Sequence, residues 1–493
     1  MTRGWGTPLG IAPLGIASLL ATLGAGAGVL HGATKAAPCA TTELTASIDP
    51  AGASPGASAA APKGAGPDSL SIVLAGDTGF NPTEAPVDAR GLHKAKQITA
   101  FPDTLSGIAA EVDGDIAFVN LETVVTDRND IQTDGNKSKG AFHFRSHPAA
   151  VKALIDAGFN LFALANNHAM DYGAAGVEET LYHMAVANAE KAIAYAGIGA
   201  NLDEALRPGC VEIGGAWIGL GSIGIITGDL PQHRAGPNKP GQASYRDPND
   251  FKAAVDRLAA MPADYRILSI HYGLEGRVVP DDKQLADWRG LAAEQKGIDL
   301  IVGHHPHVAQ GVELNGKSLI FYGLGNFMHP GTAEMKRFGI CRDYGLMAKV
   351  HLARGDAGWA VGAIEAIPLA NTHLRPARFA SAEESQTRIH VLNHLAAEID
   401  DGKTAKGVRF TPRADGSGLY CAPGTAERGG KVATLCEGWQ EATAPSAQLA
   451  AAIDKACEDK PFYGKPAMTK RRAKQPRRAL RPVPLPSPFN FRF

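Results

Sequence analysis

The six cysteines of this 493-residue sequence do not occur at the spacing of a metal-binding or redox motif. This absence argues against a cysteine-based metal site and against a CxxC centre. An exported chain can oxidise its cysteines, and we predict one disulfide between Cys421 and Cys436. The alternative interpretation of an isolated cysteine such as Cys210 is that it is simply a small buried residue. The cysteines stand at positions 39, 210, 341, 421, 436 and 457.

Charged residues are absent from positions 9 to 30, a stretch rich in Leu, Ile, Ala and Gly that follows Arg3. This pattern predicts that residues 1–31 are a signal peptide or a retained membrane anchor. Ala25-Gly26-Ala27 offers a small-residue cleavage site, but the apolar run is also long enough to span a membrane. Either reading predicts an extracytoplasmic protein, in the periplasm or at the cell surface.

Large apolar residues are scarce between positions 40 and 67, where Ala, Gly, Ser, Pro and Thr predominate. Such a composition cannot build a core, so we predict a low-complexity linker over residues 32–68. The main domain is predicted over residues 69–375. A C-terminal extension over residues 376–460, with an amphipathic helix from Ala382 to Ile399, is expected to pack on this domain.

Acidic residues are absent from positions 460 to 493, which carry 10 Lys or Arg. The rest of the chain has 39 basic and 50 acidic residues and is therefore negative. We predict a basic, Pro-rich, disordered tail over residues 461–493 that contacts anionic lipid, polymer or wall material. A tail that only increases solubility is the alternative. An exported chain with an acidic body is a poor partner for nucleic acid, which we exclude.

Internal repeats are absent as well, which excludes a solenoid. Segments with helical spacing, such as residues 177–196 and 251–260, alternate with apolar strands, and this order predicts an α/β fold in layers. We expect a second sheet that completes a sandwich, because additional short apolar runs occur at residues 217–221, 319–322 and 347–352.

Polar side chains follow five of the predicted strands at the point where each strand ends. The carboxyl ends of strands form the ligand crevice of an open α/β sheet, and divalent metals bind carboxylate, amide and imidazole groups. A cap or a buried hydrogen bond explains any single junction, but five in order favour a metal site. The junctions are Gly76-Asp77, Asn120-Leu121-Glu122, Asn166-Asn167-His168, His271 and His304-His305-Pro306-His307.

With their neighbours, these junctions resemble the CapA-type capsule or poly-gamma-glutamate synthesis proteins of the calcineurin-like metallophosphoesterase superfamily. The resemblance spans residues 70–369 and implies a four-layer αββα sandwich. The additional matching residues are Asp171 and Gly173, Tyr272-Gly273 with Glu275, Gly303, and Tyr322 with Gly325-Asn326-Phe327.

The resemblance implies one or two divalent ions, which we expect to be Mn, Fe or Zn rather than Ca because imidazoles are among the ligands. Glu122 stands where a bridging carboxylate is expected. His304 is expected either to donate an outer hydrogen bond or to face solvent. The predicted metal ligands are Asp77, Glu122, Asn167, His271, His305 and His307.

The resemblance also implies catalytic roles for two residues. His168 is at the position of the superfamily's catalytic acid, and Asp171 is expected to orient its ring. Four further residues are predicted to contact substrate, although an ion pair for Arg145 and loop-ordering hydrogen bonds for Glu275 and Asn326 are equally good readings. These four are Asn120, Arg145, Glu275 and Asn326.

Two departures from the wider superfamily leave two functions open. Gly79 replaces the histidine that normally follows the first aspartate by two residues, and Glu122 replaces an aspartate. The first function is an extracytoplasmic metal-dependent hydrolase of a phosphoester or γ-glutamyl bond in an anionic polymer, which His168 favours. The alternative is a non-catalytic polymer-binding or export-assembly component that works with membrane proteins of a capsule machine, which Gly79 favours.

Overall fold

The computed structural model describes residues 68–82, 86–94, 97–135, 142–226, 230–294, 297–330, 335–356 and 358–458. The predicted signal peptide or anchor and the basic tail lie outside these residues, as does the predicted linker except for Asp68. All described residues belong to one compact unit. No helix in this part of the chain is both long enough and apolar enough to cross a membrane.

The helices begin at recognisable caps. Asp247 caps the helix that starts at Pro248, and Asp281 forms a capping box with Gln284. The helix predicted from Ala382 to Ile399 is confirmed. The described helices are α1 Phe101–Leu105, α2 Pro148–Asp156, α3 Gly173–Glu190, α4 Leu202–Ala205, α5 Pro248–Ala260, α6 Asp282–Ala293, α7 Ala382–Ile399, α8 Gly430–Leu435 and α9 Ala447–Ala456.

Most strands belong to two large sheets. The strands are β1 Ser69–Thr78, β2 Asn81–Pro82, β3 Leu92–Lys94, β4 Gln97–Thr99, β5 Ile116–Leu121, β6 Val124–Val125, β7 Phe144–Ser146, β8 Leu161–Ala163, β9 Ala194–Ala196, β10 Ile198–Gly199, β11 Gly209–Ile213, β12 Ala216–Gly224, β13 Gly241–Gln242, β14 Tyr265–His271, β15 Leu300–His304, β16 Val312–Asn315, β17 Ser318–Phe321, β18 Asn326–Met328, β19 Gly345–Gly355, β20 Gly358–Ala370, β21 Ala377–Arg378, β22 Ala405–Gly407, β23 Thr411–Pro412 and β24 Gly418–Cys421.

The first sheet has the order β23-β24-β20-β19-β1-β5-β8-β9, with β18 beside β1 and β21 beside β20. Strands β5, β8, β9 and β18 extend the β1 end of this sheet in parallel, whereas β19 and β20 are antiparallel. The second sheet has the order β11-β12-β14-β15-β17-β16-β22, and its centre, β12-β14-β15-β17, is parallel. The chain is therefore a mixed α/β protein.

Side chains that alternate along each strand enter different hydrophobic clusters. Ile72 and Leu74 of β1 share a cluster with Ile267 of β14, so this cluster contains residues of both sheets. Val73 packs instead with residues of α1, α2 and α3. Leu268 packs with residues of α5 and α6. The period of two along a strand thus divides each sheet between two clusters.

One of the three apolar runs that were predicted to belong to a second sheet lies in the first sheet. Residues 217–221 and 319–321 fall on β12 and β17 of the second sheet, as predicted, and Tyr322 directly follows β17, but residues 347–352 lie in β19 of the first sheet. An apolar run indicates that a strand is buried, but it does not indicate which strand pairs with it. The partners of β19 are β20 and β1, and its register with β1 runs from Ser69↔Ala353 to Leu74↔Ala348.

Candidate metal centre

The predicted site residues converge from both sheets. Asp77 is the penultimate residue of β1 and Glu122 directly follows β5 in the first sheet, and His271 and His305 come from the ends of β14 and β15 in the second. Both carboxylates and His271 are fully buried. The five junctions therefore do not line the edge of one open sheet, because two of them belong to the second sheet.

Hydrogen bonds hold the Asp77 carboxylate from two sides. Its Oδ1 accepts from the Asn120 side-chain amide at 2.8 Å, and its Oδ2 accepts from the backbone N–H of His305 at 3.2 Å. Nδ1 of His304 lies 3.3 Å from Oδ1, and Nδ1 of His307 lies 3.2 Å from Oδ2. Asp77 thus ties the end of the first sheet to the histidine-rich loop of the second.

The Glu122 carboxylate is surrounded by imidazoles. Nε2 of His271 lies 3.4 Å from Oε1, and Nε2 of His329 lies 3.3 Å from Oε2. Neither oxygen has a hydrogen-bond partner among the residues that the structure describes. A fully buried carboxylate without such a partner is costly, and a metal ion is one way to compensate it.

Two groups of possible metal-donor atoms share Glu122. In each group the donor atoms lie within 4.8 Å of one another. The first group is Glu122, His271 and His305, and the amide oxygen of Asn167 lies 2.6 Å from Nε2 of His271. The second group is Glu122, His307 and His329. These nitrogen and oxygen donors suit Mn, Fe or Zn, so the donor set fits the divalent metal that the sequence analysis predicted.

Burial and charge act in opposite directions on the carboxylates. Burial alone would raise the pKa of Asp77 and of Glu122. Hydrogen bonds from His304 and His307 outweigh that effect at Asp77 and hold its pKa below the ordinary range. The charges of His271 and His307 do the same for the pKa of Glu122, and the nearby imidazole of His329 contributes. Both groups are therefore carboxylates at neutral pH.

The histidines differ in whether burial or the nearby carboxylates have the larger effect on the pKa. Burial lowers the pKa of His304 and, more strongly, that of His305. Burial opposes protonation of His307 too, but the charges of Glu122 and Asp77 raise its pKa to about 10. Nδ1 of His307 also lies 2.8 Å from Oδ1 of Asn326. Among the histidines of this site whose pKa is shifted, only His307 is therefore shifted toward the protonated form.

His168 lies at the edge of the same cluster. Its Nδ1 is 2.7 Å from Oδ2 of Asp171, and its Nε2 is 3.9 Å from Oε1 of Glu122. The same Asp171 oxygen accepts the backbone N–H of Phe144, whose ring lies 4.1 Å from the His168 ring between centroids. These contacts place Asp171 where the sequence analysis predicted a residue that orients His168.

The four predicted substrate contacts fall into different environments. Asn120 lies 3.2 Å from Nδ1 of His271 as well as bonding Asp77, so both Asn120 and Asn326 contact predicted metal ligands. The Arg145 guanidinium lies over the Tyr172 ring, 5.3 Å from its centroid, and the residue is 8% exposed. Glu275 is exposed and close enough to help raise the pKa of His307.

The structure adds His329 to the site and resolves the alternatives for His304. His304 is 1% exposed and faces Asp77, so it does not point to solvent. His329 directly follows β18 and is also 1% exposed. The same signal that identified the other junctions, a polar residue at the end of a strand, was present. It was missed because β18 has only three residues and no recognisable apolar pattern.

Fold and site together define an α/β protein with a buried carboxylate and histidine centre suited to divalent metals. Within that class, the chain belongs to the family described as bacterial capsule synthesis protein PGA_cap. The family model matches residues 71–330, which is more than half of the chain. The family predicted from the sequence motifs is confirmed.

Several curated relatives are about one-third identical over part of their length. The PGA biosynthesis protein CapA of Bacillus subtilis (strain 168) is 31% identical over 210 residues, which cover 42% of this chain and 52% of the relative. A probable polyglutamine synthesis accessory protein of Mycobacterium tuberculosis is 31% identical over 222 residues, covering 43% and 55%. The chain thus spans about half the length of the curated relatives it matches.

Among solved structures, the structure of PhoD has a TM-score of 0.27 and 9% sequence identity, covering 62% of this chain and 67% of that one. A similarity at this level carries no argument about fold or function.

Proposed function

We propose that this chain is an extracytoplasmic metal-dependent hydrolase that takes part in capsule or poly-gamma-glutamate synthesis or processing. The observation that carries the proposal is the Glu122 carboxylate, which is fully buried among histidines and has no hydrogen-bond partner among the described residues. The names of the relatives support the process, and the imidazole and carboxylate donors support the metal.

The residues that would hold the metal are the six predicted ligands, of which Asp77 belongs to neither donor group and lies beside His307. A divalent ion bound there would act as a Lewis acid and would lower the pKa of water. Asn120 holds the Asp77 carboxylate, and Asn326 contacts His307, so these two amides maintain the orientation of the ligands. The ligands are Asp77, Glu122, Asn167, His271, His305 and His307.

His168 would donate a proton to the leaving oxygen of the substrate. Its Nδ1 faces Asp171, so a proton on Nδ1 would be shared with a carboxylate and Nε2 would be the atom that exchanges a proton with substrate. Phe144 packs against the same ring and excludes water from one side. Arg145 would bind an anionic group of the substrate.

The same proposal covers the layer arrangement of the fold, the substrate, the partners and the export of the chain. In this proposal, the helices packed outside the two sheets complete the four-layer αββα sandwich of the metallophosphoesterase type. The three hydrophobic clusters support this arrangement. The substrate would be an anionic polymer or a phosphoester, and the partners would be membrane proteins of capsule synthesis. Residues 1–31 would export the chain and either be removed or anchor it.

Three substitutions test this proposal in the full-length chain. Metal content would be measured together with hydrolysis of an aryl phosphodiester and of poly-gamma-glutamate. We expect His168→Ala to abolish hydrolysis and retain the metal. Asp77→Ala and His305→Ala should lose both hydrolysis and the metal. Equal loss of metal in all three variants would contradict the assigned roles.

Bound metal without turnover of either substrate would favour the second function, a polymer-binding or export-assembly component. One observation favours that alternative, because Gly79 has no side chain to offer a metal. Binding of poly-gamma-glutamate without cleavage would then be the activity to measure.

A further inference from the structure

We propose that His329 is a ligand of a second metal ion, held by Glu122, His307 and His329 next to the ion held by Glu122, His271 and His305. This inference rests on the proposed metal-dependent function and specifies its metal site. Each group brings one carboxylate and two imidazoles together within 4.8 Å.

Strand pairing explains why the donor comes from β18. This strand runs parallel to β1 with the register Asp77↔Asn326 and Thr78↔Met328, so His329 lies just beyond the end of β1. The backbone N–H of Gly79 donates to the carbonyl of Met328 at 2.9 Å. Gly79 itself has no side chain, and the neighbouring strand therefore supplies the imidazole at this corner of the site.

The two oxygens of Glu122 face different histidines. Oε1 lies 3.4 Å from Nε2 of His271, whereas Oε2 lies 3.3 Å from Nε2 of His329. A carboxylate that presents one oxygen to each of two donor groups is the arrangement that bridges a pair of metal ions. Glu122 would therefore be shared, and the two ions would be coupled through it.

Packing holds the His329 ring in place. The Phe144 ring meets it at 90° with the centroids 5.0 Å apart, and the His307 ring lies 5.1 Å away at 63°. Phe144 also contacts His168, so one aromatic side chain supports both the proposed second metal ligand and the proposed proton donor. A ligand whose ring is fixed by packing loses little entropy when it binds a metal.

The test compares His329→Leu with the wild-type protein, both full length and loaded with Mn²⁺. Bound metal per chain is measured by elemental analysis after dialysis, and coupling between ions by electron paramagnetic resonance. We expect two ions with a coupled spectrum in the wild type and one ion with the spectrum of isolated Mn²⁺ in the variant. The affinity for the second ion should fall by more than the roughly 10–100-fold typical of losing an outer-shell partner.

Two further variants control for folding and for side-chain type. His329→Gln keeps an oxygen donor of similar reach and should retain the second ion with weaker affinity, so it tests the proposal even if the leucine variant does not fold. His351 is another histidine beside a glutamate, since it lies 2.9 Å from Glu365, but it belongs to neither donor group. The variant His351→Leu should therefore keep both ions.

The failures of the two proposals are distinguishable. If His329→Leu keeps two ions and a coupled spectrum, His329 is not a ligand, although the metal-dependent function still stands. If the wild-type protein binds only the ion that His305→Leu removes, the second centre is overturned. If the wild-type protein binds no metal at all, both proposals are overturned.

Discussion

His305 and His307 both adopt left-handed backbone conformations, with φ of 94° and 58°. Residues other than glycine pay about 1–3 kcal/mol for such conformations, which persist only where the surroundings impose them. Here the His305 N–H bonds to Asp77, and the carbonyl of Pro306 accepts the N–H of Gly276 at 2.8 Å. The strained turn therefore points two imidazoles into the site before any ligand binds.

The proton on His307 leads to a pH prediction. Because burial is outweighed by the charges of Glu122 and Asp77, the pKa of His307 is about 10 in the metal-free chain. A metal ion bound by His307 must displace this proton. We expect about one proton to be released on binding near pH 7, and the apparent metal affinity to rise roughly tenfold per pH unit up to that pKa.

Calorimetric titration in two buffers with different ionisation enthalpies measures the released proton. A binding enthalpy that does not depend on the buffer would contradict the prediction. His307→Gln, which has no proton to release at that position, is the control and should bind metal more weakly with a smaller buffer dependence.

The pairing of β1 with β18 brings the carboxylate of Asp77 and the side chains of Asn326 and His329 to the same end of the first sheet. Gly76 permits this pairing, since a Cβ there would overlap the carbonyl oxygen of Gly325. That carbonyl accepts the N–H of Asp77 at 2.9 Å. A glycine in β1 is thus required by the close approach of another backbone.

We predict that Gly76→Ala destabilises the fold by roughly 1–3 kcal/mol, as overpacking does, and weakens metal binding because it displaces Asp77. Gly290 in α6 is the matched control, since an added Cβ there meets no atom within 4 Å. Gly290→Ala should increase stability by about 0.5–1 kcal/mol, because alanine favours a helix. Denaturant unfolding of both variants measures the difference, and equal effects would contradict it.

The hairpin of β19 and β20 carries a pH-dependent ion pair outside the site. Glu365 lies 2.9 Å from His351 and 2.6 Å from Arg413. Burial would raise the pKa of Glu365, but its interactions with His351 and Arg413 lower it below the ordinary glutamate value. The folded chain therefore binds this proton less readily than the unfolded chain does.

The stabilisation from Glu365 is consequently present at neutral pH and is lost as the pH falls through its lowered pKa. We predict that Glu365→Gln reduces the free energy of unfolding at pH 7 and has a smaller effect near pH 3. Urea titrations at both pH values measure this. A loss of stability that is the same at both would show that shape, rather than charge, is responsible.

The C-terminal segment of the described chain contributes strands to both large sheets. After residue 330, β19, β20 and β24 extend the first sheet and β22 joins the second. The predicted disulfide Cys421–Cys436 is confirmed, a second one joins Cys341 to Cys457, and Cys210 is also disulfide-bonded. Cys210 is therefore more than a small buried residue.

Arg342 connects this segment to the site. It is 5% exposed and donates to the carbonyls of Gly276, Ala456 and Glu458 at 2.8–3.0 Å. Gly276 in turn bonds to Pro306, between the two histidines of the strained turn. The adjacent disulfide joins Cys341 to Cys457, the residue after α9, and so holds the end of α9 next to Arg342.

We predict that Cys341→Ser with Cys457→Ser costs more stability than Cys421→Ser with Cys436→Ser. The first bond spans 116 residues and the second only 15, for which the chain-entropy model gives about 5 and about 3 kcal/mol. Only the first pair should also weaken metal binding, because it loosens the support of Arg342. Unfolding and metal titration of both variants check this, and equal effects on metal affinity would contradict it.

Local patterns in the sequence were sufficient for the α/β class, the family, the helix from Ala382 to Ile399 and the convergence of Asp77, Glu122 and His271. Alternation of apolar and polar residues and the position of a residue at a strand end are local properties, so they can be read without knowing the partners. The same holds for the short loop closed by Cys421 and Cys436.

The tertiary fold was needed for everything that depends on which strands become neighbours. It placed residues 347–352 in the first sheet, divided the ligands between two sheets, buried His304 and brought His329 to Glu122. Strand partners are chosen by packing between residues that are far apart in sequence, as β1 and β18 are. A three-residue strand carries no periodic signal, and the donor that follows it becomes visible only once that pairing is known.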